Sequence, residues 1–389
     1  MPGRCSVQKV KPEERLLLQR LSSSVQPYGR GFKGNVRAKV DCRRGSMQDV
    51  KCHVGKEWPP RPWKNMKKEK KRVFIYIGLT MLSLFVNIFI EPYFLEDKVI
   101  NITSNDVPQE FNNLRIVFIS DIHHGPFFNI ERVKKLVEKI NIKNPDIIML
   151  GGDYVHRSPK YIKPCFNELR NLKASLGVFG VLGNHDHWED AELTKISMRQ
   201  VGIHQLDNTA FWVYKNGQKI KIGGVGDYFE DIQDINPTIK DANVNDFVIL
   251  LTHNPDYVEN IKTKKIDLVL GGHTHGGQVT LFGLWAPVVP SRYGQKYRTG
   301  IINNENTKVI VSNGIGTITP PVRFFARPQI ITVVLKCSII VEEDDVKTRL
   351  GKRSRRSDQA YTGGRCKPNE TVLAMREKHE KHVHPHPEG

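Results

Sequence analysis

Hydrophobic positions along the chain fall into two rhythms. Residues 73–90, VFIYIGLTMLSLFVNIFI, carry no charge at all until Glu91 and Pro92 end the run. Eighteen helical residues rise about 27 Å, just enough for a bilayer core of about 30 Å. A helix buried in a protein core keeps a polar stripe, whereas only Thr80, Ser83 and Asn87 interrupt this one. The pattern therefore predicts a membrane helix over residues 73–92. Beyond it the apolar runs become short. LRIVFIS (114–120) is rich in β-branched residues, and Val133, Leu136, Val137 and Ile140 then recur at i, i+3, i+4, i+7, so a strand is followed by a helix. DIIML (146–150), GVFGVL (177–182), FVILLTH (247–253) and IDLVL (266–270) read as further buried strands, with helices near 162–174, 188–200 and 255–262. Asn216-Gly217 in YKNGQK marks a hairpin, and QVTLFG, TKVIVSNG and QIITVVLKC read as strands with no helix between them. The sum is an α/β domain over residues 98–340, in which helices cover two sheets packed face to face.

Charge sharpens this division. The net charge of +18 would point to nucleic acid if it were spread over the fold, but residues 1–72 hold 20 Lys and Arg against 6 Asp and Glu, while residues 73–341 come to +2. A nearly neutral domain does not track a phosphate backbone, so no nucleic-acid partner is expected. Residues 1–72 show no period and carry Gly, Pro and Ser throughout, and they read as a basic disordered tail. Residues 341–389 read as a second, charged tail; His382, His384 and His386 in its HVHPHPEG ending belong to a Pro-interrupted segment rather than a metal site. Of the six cysteines, only Cys165 and Cys337 fall inside the domain, and no CxxC spacing occurs, which excludes a disulfide framework or a zinc finger.

The basic flank MKKEKKR (66–72) predicts retention on the cytoplasmic side and an extracytoplasmic domain after residue 92. No small-x-small cleavage site follows the apolar run, so a single-pass anchor is expected rather than a removed leader. Met66 before Lys67 and Lys68 resembles the start of such an anchor, which makes the first 65 residues an extension.

Most buried strands end alike, in a cluster of Asp, His, Asn and Gly. In order these are FISDIHHG with Asp121 and His123, MLGGDYV with Asp153, GVLGNHDHW with Asn184, His185 and Asp186, LLTHNPD with His253, and VLGGHTHGG with His273 and His275. A lone Asp-x-His or His-x-His arises readily by chance; five such clusters, each after an apolar strand, do not. Loops beyond the carboxyl ends of strands converge above a rigid sheet, so the five point at one place. Asp121, His123, Asp153, Asn184, His253, His273 and His275 supply seven oxygen or nitrogen donors, too many for one tetrahedral zinc and enough for two divalent metal ions sharing a carboxylate. Imidazole mixed with carboxylate, without thiolate, suits Mn, Fe or Zn better than Mg or Ca. Two ions roughly 3.5–4 Å apart can hold a hydroxide between them and clamp a phosphoryl group for in-line attack.

The order D-x-H, G-D, G-N-H-D, H, G-H-x-H resembles the calcineurin-like metallophosphoesterases over about residues 98–338. GGHTHGGQ, PSRYGQKYRTG and NGIGTITPPVRFFARPQI, together with a preceding membrane segment, are similar to single-pass bacterial phosphohydrolases that include a UDP-2,3-diacylglucosamine pyrophosphatase. The resemblance implies a four-layer αββα sandwich with two metals and a lipid-linked or nucleotide-sugar phosphate as substrate. Carried over by position, Asp121, His123 and His275 would hold the first ion, Asp153 would bridge, and Asn184, His253 and His273 would hold the second. His185 would face the substrate and protonate the leaving oxygen. Asp186 would fix its loop. His156 stands where the protein-phosphatase branch has an acid that orients the catalytic histidine, which makes that branch a poor match. A UDP-sugar lipid belongs to the cytoplasm, so the substrate that the resemblance implies and the side that the basic flank predicts do not agree.

Other residues near the motifs have weaker claims. His124 and His187 would be rim or supporting residues, Trp188 and Phe127-Phe128 could equally line an apolar or lipid-facing rim or be buried in the core, and Arg323 and Arg327 could reach a substrate phosphate or remain solvated charges. Nuclease action on the same metal core, or a tethered binding protein, are the competing functions.

Overall fold

The computed structural model describes residues 63–305 and 307–338. The expected basic and charged tails lie outside the described residues, except for residues 63–72. Two compact units divide at Tyr76 and Ile77. Of the first, residues 63–76 are described, and all are helical. They belong to α1 (Trp63–Ile90), which takes in the basic flank assigned above to the tail. Lys, Glu, Met and Arg are good helix formers, so nothing in 66–72 stops the helix. From 73 to 90 every side chain is exposed except Leu84 and Ile88, which are half-buried. This is one helix, among the described residues, long and apolar enough to cross a membrane.

The second unit holds two six-stranded mixed sheets. The first runs β1 (Glu96–Ser104), β12 (Gln329–Cys337), β2 (Arg115–Ile119), β3 (Ile147–Leu150), β4 (Val178–Gly180), β5 (His204–Gln205) across the sheet. The second runs β10 (Gly300–Asn304), β11 (Thr307–Val311), β9 (Leu268–Gly271), β8 (Val248–Leu251), β7 (Gln218–Gly224), β6 (Thr209–Lys215). Strands β2 to β5 are parallel, as are β7, β8, β9 and β11, and β6–β7 is the antiparallel hairpin closed at Asn216-Gly217.

Because the central strands are covered on both faces, they are apolar at every position rather than at alternate ones. Ile116, Phe118, Ile147 and Met149 turn inward against Ile249, Leu251, Leu268 and Leu270 of the other sheet, forming the core between the sheets. Val117, Ile119, Ile148 and Leu150 turn outward under α2 (Ile130–Ile142) and α3 (Ile162–Leu169), where they meet Val133, Leu136, Val137 and Ile140. On the far side, Val248, Leu250, Val269 and Val311 pack under Tyr257 and Val258. The order of layers is therefore helix, sheet, sheet, helix. The last layer is thin, made of the 3-10 helix Pro255–Asn260 and the short α4 (Asn236–Ile239).

Several sequence expectations need correction. QVTLFG is not a strand: Gln278, Phe282 and Gly283 have φ of 55°, 52° and 75°, and a left-handed backbone breaks extended pairing. The helix near 255–262 is 3-10 rather than α, opening at Pro255, and the one near 162–174 stops at Leu169. Strand β1 begins at Glu96 and escaped notice because only Ile100 and Ile102 of this edge strand are buried. Cys337 is disulfide-bonded, which motif spacing cannot reveal, while Cys165 is a free buried thiol.

Strand β4 hands the chain to the GNHD loop through Leu182, whose N–H is held by the Asp207 carboxylate at 3.0 Å. Burial pushes this carboxyl up to about 7. An unfolded chain releases that proton near pH 3.8, so between there and pH 7 the folded state binds more protons and stability falls as pH rises. Asp207→Asn should flatten that slope, and thermal melts at pH 5 and pH 8 should show a smaller difference in Tm than in the native protein. An unchanged difference would remove Asp207 as its source.

Candidate metal centre

The five loops after β2, β3, β4, β8 and β9 do converge. Their backbone is unusual: Asp121, His123, Asp153, His273 and His275 have φ of 55°, 48°, 56°, 65° and 52°. Left-handed backbone costs a non-glycine residue about 1–2 kcal/mol, and such residues collect where structure over-determines them. Two glycines make the approach possible. Gly152 has φ of 86° and a Cβ there would lie 2.5 Å from the Gly183 nitrogen; a Cβ on Gly272 would collide with the Ser120 hydroxyl. The hydrogen bonds His123 N–H to Asp153 O and Asp121 N–H to Gly152 O, both 2.9 Å, lock the first two loops together.

The side chains form two groups around one carboxylate. His123 Nε2 lies 3.1 Å from His275 Nε2, and His275 Nε2 lies 3.6 Å from Asp121 Oδ1. On the other side His253 Nε2 lies 3.2 Å from Asn184 Oδ1 and 3.2 Å from His273 Nδ1. Asp153 Oδ2 stands between the groups, 3.4 Å from His123 Nε2 and 3.4 Å from His253 Nε2. Its other oxygen accepts the His185 N–H at 2.9 Å.

Protonation explains what these contacts require. Burial pushes His123 and His275 well below the usual imidazole range, and burial together with the neighbouring His253 takes His273 down to about 3. These rings are neutral, the form that binds metal. Burial also opposes a charge on His253, but the adjacent Asp153 carboxylate outweighs it and raises that ring. Asp153 is in turn held below the carboxylate range, since His253 and His123 outweigh its burial. Burial pushes Asp121 up to about 6. His253 Nδ1 lies 2.7 Å from Gly151 O, which leaves its Nε2 turned to an amide oxygen, a carboxylate and a second imidazole. Such converging acceptors repel unless a positive charge lies among them; a proton on His253 supplies that charge without an ion, and a divalent cation that displaces the proton suits the same donor set. Asp121, His123 and His275 bring one donor each within 4.8 Å of one another, as do Asp121, Asp153 and His253.

The remaining residues support or flank these groups. Asp186 is fully buried and accepts the N–H of Asp153, Tyr154 and Gly183, tying two loops together. His156 Nδ1 lies 3.2 Å from His185 Nδ1, and burial with the nearby His185 takes His156 down to about 4. A neutral imidazole thus occupies the place beside His185, whose ring also stands against His123 at 4.7 Å between centroids. His124 is buried and bonded to Phe128 O, and Phe128 belongs to the core rather than a rim. Trp188 is exposed, 4.6 Å from the His185 ring. On the opposite flank Phe229 lies 5.8 Å from His273, an aromatic neighbour absent from the expected site. Its signal was available: KIGGVGD (221–227) is another apolar run ending in Gly-Asp, and buried Asp227 accepts the Phe229 and Glu230 N–H groups.

Arg323 does not face outward. It is completely buried, with its guanidinium donating to Gly316 O, Asn313 O, Ala326 O and His275 O, and with Nη2 3.4 Å from His275 Nδ1. Arg327 is exposed.

A family model described as calcineurin-like phosphoesterase matches residues 114–277. Over 259 residues the chain is 31% identical to the metallophosphoesterase YkuE of Bacillus subtilis, covering 64% of this chain and 88% of that protein. The chain belongs to the calcineurin-like metallophosphoesterases. It is also 28% identical over 277 residues to a transmembrane protein with metallophosphoesterase domain of Danio rerio, covering 66% of this chain and 62% of that one. The solved structure of Haemophilus influenzae NAD nucleotidase aligns with a TM-score of 0.38 at 17% identity, over 52% of this chain and 45% of that one. As a member of its family, this metallophosphoesterase is a metal-dependent phosphoester hydrolase that uses divalent metals and takes a phosphate-containing substrate.

Arg323 supplies a test of how the metallophosphoesterase site is held. Burial lowers its pKa to about 9, so it stays charged at neutral pH. Arg323→Met should leave several carbonyls without donors and lower unfolding stability by about 3 kcal/mol or more in denaturant titrations. Arg323→Lys should recover little of this, because a point ammonium cannot reproduce the planar fork. A variant as stable as the native protein would show that the carbonyls find other donors.

Proposed function

We propose that the chain is a membrane-anchored phosphodiester or pyrophosphate hydrolase with a two-ion centre. Asp121, His123 and His275 hold one ion, Asn184, His253 and His273 hold the other, and Asp153 bridges. The observation that carries this reading is the placement of Asp153 Oδ2 at 3.4 Å from both His123 Nε2 and His253 Nε2, with a separate set of donors on each side. Bound divalent ions supply Lewis acidity to a phosphoryl oxygen and lower the pKa of water.

The chain's own residues do the rest. Asp186 fixes the backbone of Asp153 and Gly183, and so the spacing of the two groups. His185 has Nδ1 turned to neutral His156, which leaves Nε2 to give a proton to the departing oxygen. Trp188 and Phe229, one beside His185 and one beside His273, offer apolar faces to whatever the phosphate carries. A lipid-linked substrate accords with that rim and with anchoring by α1, and the Danio rerio relative is itself named as a transmembrane protein. The basic flank before α1 favours an extracytoplasmic domain. We therefore favour an exported lipid phosphodiester or pyrophosphate over a cytoplasmic UDP-2,3-diacylglucosamine. Nuclease action is disfavoured because residues 73–341 carry a net charge of only +2.

Hydrolysis of bis(p-nitrophenyl) phosphate, together with metal analysis, tests the roles. His185→Ala should retain both ions and lose roughly 10²–10⁴-fold in kcat. His273→Ala and His275→Ala should each keep one ion, and a different one. Loss of the same ion from both variants, or full turnover without His185, would sink the assignment.

A further inference from the structure

The end of α1, the buried Arg323 and an apolar turn form one continuous structure. The Arg323 N–H donates to Ile88 O at 3.0 Å, and the carboxylate of buried Glu91 accepts the Phe325 and Ala326 N–H groups at 2.8 and 2.7 Å. The same short strap is stitched to the chain beyond the metal centre: Phe324 N–H donates to Gln278 O at 2.8 Å and Thr280 N–H to Phe324 O at 2.9 Å. The chain then makes a tight turn in which Leu284 N–H bonds to Leu281 O, and Leu281 N–H to Trp285 O. Residues 281–289, LFGLWAPVV, contain no charge.

This turn presents its apolar side chains to solvent. Phe282, Leu284 and Val288 are 62%, 81% and 73% exposed, with Leu281, Trp285 and Phe325 exposed beside them. Phe282 sits at the tip with φ of 52°, where Asn or Gly would be the unstrained choice. Its ring lies 5.4 Å from that of Phe325. Contiguous exposed apolar surface of this kind marks an interaction site. Around the exit of α1, exposed Tyr93 and Phe94 carry the guanidinium groups of Arg132 and Arg327 over their rings, at 4.6 and 6.0 Å. Aromatic rings paired with cations are what a membrane–water boundary selects.

We propose that the turn of residues 281–288, together with Phe325, is a second membrane contact that inserts into the lipid interface where α1 emerges. The occupant is the bilayer because the apolar turn is bonded, through residues 323–326, to the end of the one helix among the described residues that is long and apolar enough to cross it. The contact rests on the reading of α1 as an anchor. Its consequence reaches the metal centre, since residues 276–280 alone separate His275 from the turn. A phosphate carried on a lipid headgroup would meet the site without leaving its leaflet.

The test needs no activity. The full chain is placed in phosphatidylglycerol nanodiscs, one chain per disc, with acyl chains brominated or not, and the Trp285 signal is taken as the emission lost in Trp285→Phe. That signal should be quenched by brominated lipid and shielded from aqueous iodide. The double variant Phe282→Asp, Leu284→Asp, with an unchanged Tm, should reverse both, cutting bromolipid quenching of Trp285 by roughly tenfold. Iodide quenching without bromolipid quenching in the unaltered chain overturns the proposal. So does shielding that arises only when two chains share a disc, which would assign the turn to a second copy. Because hydrolysis is not measured, this failure is distinct from failure of the proposed reaction.

Discussion

The Asp153 carboxylate is the interaction on which the site turns. One oxygen faces a histidine from each half of the molecule, His123 from the first sheet and His253 from the second, while the other holds the His185 backbone. A buried carboxylate is costly unless charge and hydrogen bonds compensate it, and here every compensating group arrives from a different loop. The spacing of those loops is fixed in turn by Asp186, an acid whose three backbone partners are drawn from the Asp153 and Gly183 loops. Burial and the nearby Asp153 raise the Asp186 carboxyl, so this acid serves by accepting backbone N–H groups rather than by sharing charge with Asp153.

That arrangement explains why the sheets are apolar on both faces. Five side chains held on left-handed backbone store strain of about 1–2 kcal/mol each, and only a rigid base keeps them there. The base is the core between the sheets, where β2, β3, β8 and β9 contribute inward residues that are almost wholly buried. Burial of the strands and strain in the loops are therefore two sides of one design: the sheets over-determine the positions from which the loops depart.

Much of this was legible in the sequence. The strands leading to the site were evident because central parallel strands are long apolar runs, and the ligand clusters because each follows such a run. The hairpin announced itself through Asn216-Gly217. What stayed hidden depended on direction rather than composition. Arg323 sits in a loop-like sequence, PPVRFFARP, and nothing local says that its guanidinium turns inward to the carbonyls of Asn313, Gly316 and Ala326 and to that of the distant His275. QVTLFG looked like a strand because its residues favour extended backbone, but the His275–Gly277 turn and positive φ at Gln278 and Phe282 carry it away from any sheet. Edge strand β1 lacked a two-faced apolar pattern, so its pairing with β12, and the Glu96 boundary, came only from tertiary contact. The Phe229 flank has a weaker signal: KIGGVGD ends in Gly-Asp much as MLGGD does, but Phe229 itself offers no ligand atom to a motif.

Arg323 also ties the end of α1 to the His275 loop. Burial above all, then His123 and the buried Arg323 cation beside it, disfavours protonation of the His275 ring, keeping its Nε2 lone pair available toward Asp121 and His123. The same residue's backbone caps a carbonyl at the end of α1, and its neighbours Phe325 and Ala326 are held by Glu91. A local loss at this strap therefore removes support from the helix end and from a histidine of the metal centre together. Packed interiors transmit such displacements because they have few voids to absorb them. The polar end of the apolar helix and the His275 imidazole are thus parts of a single hydrogen-bonded unit, and the geometry of one constrains the other.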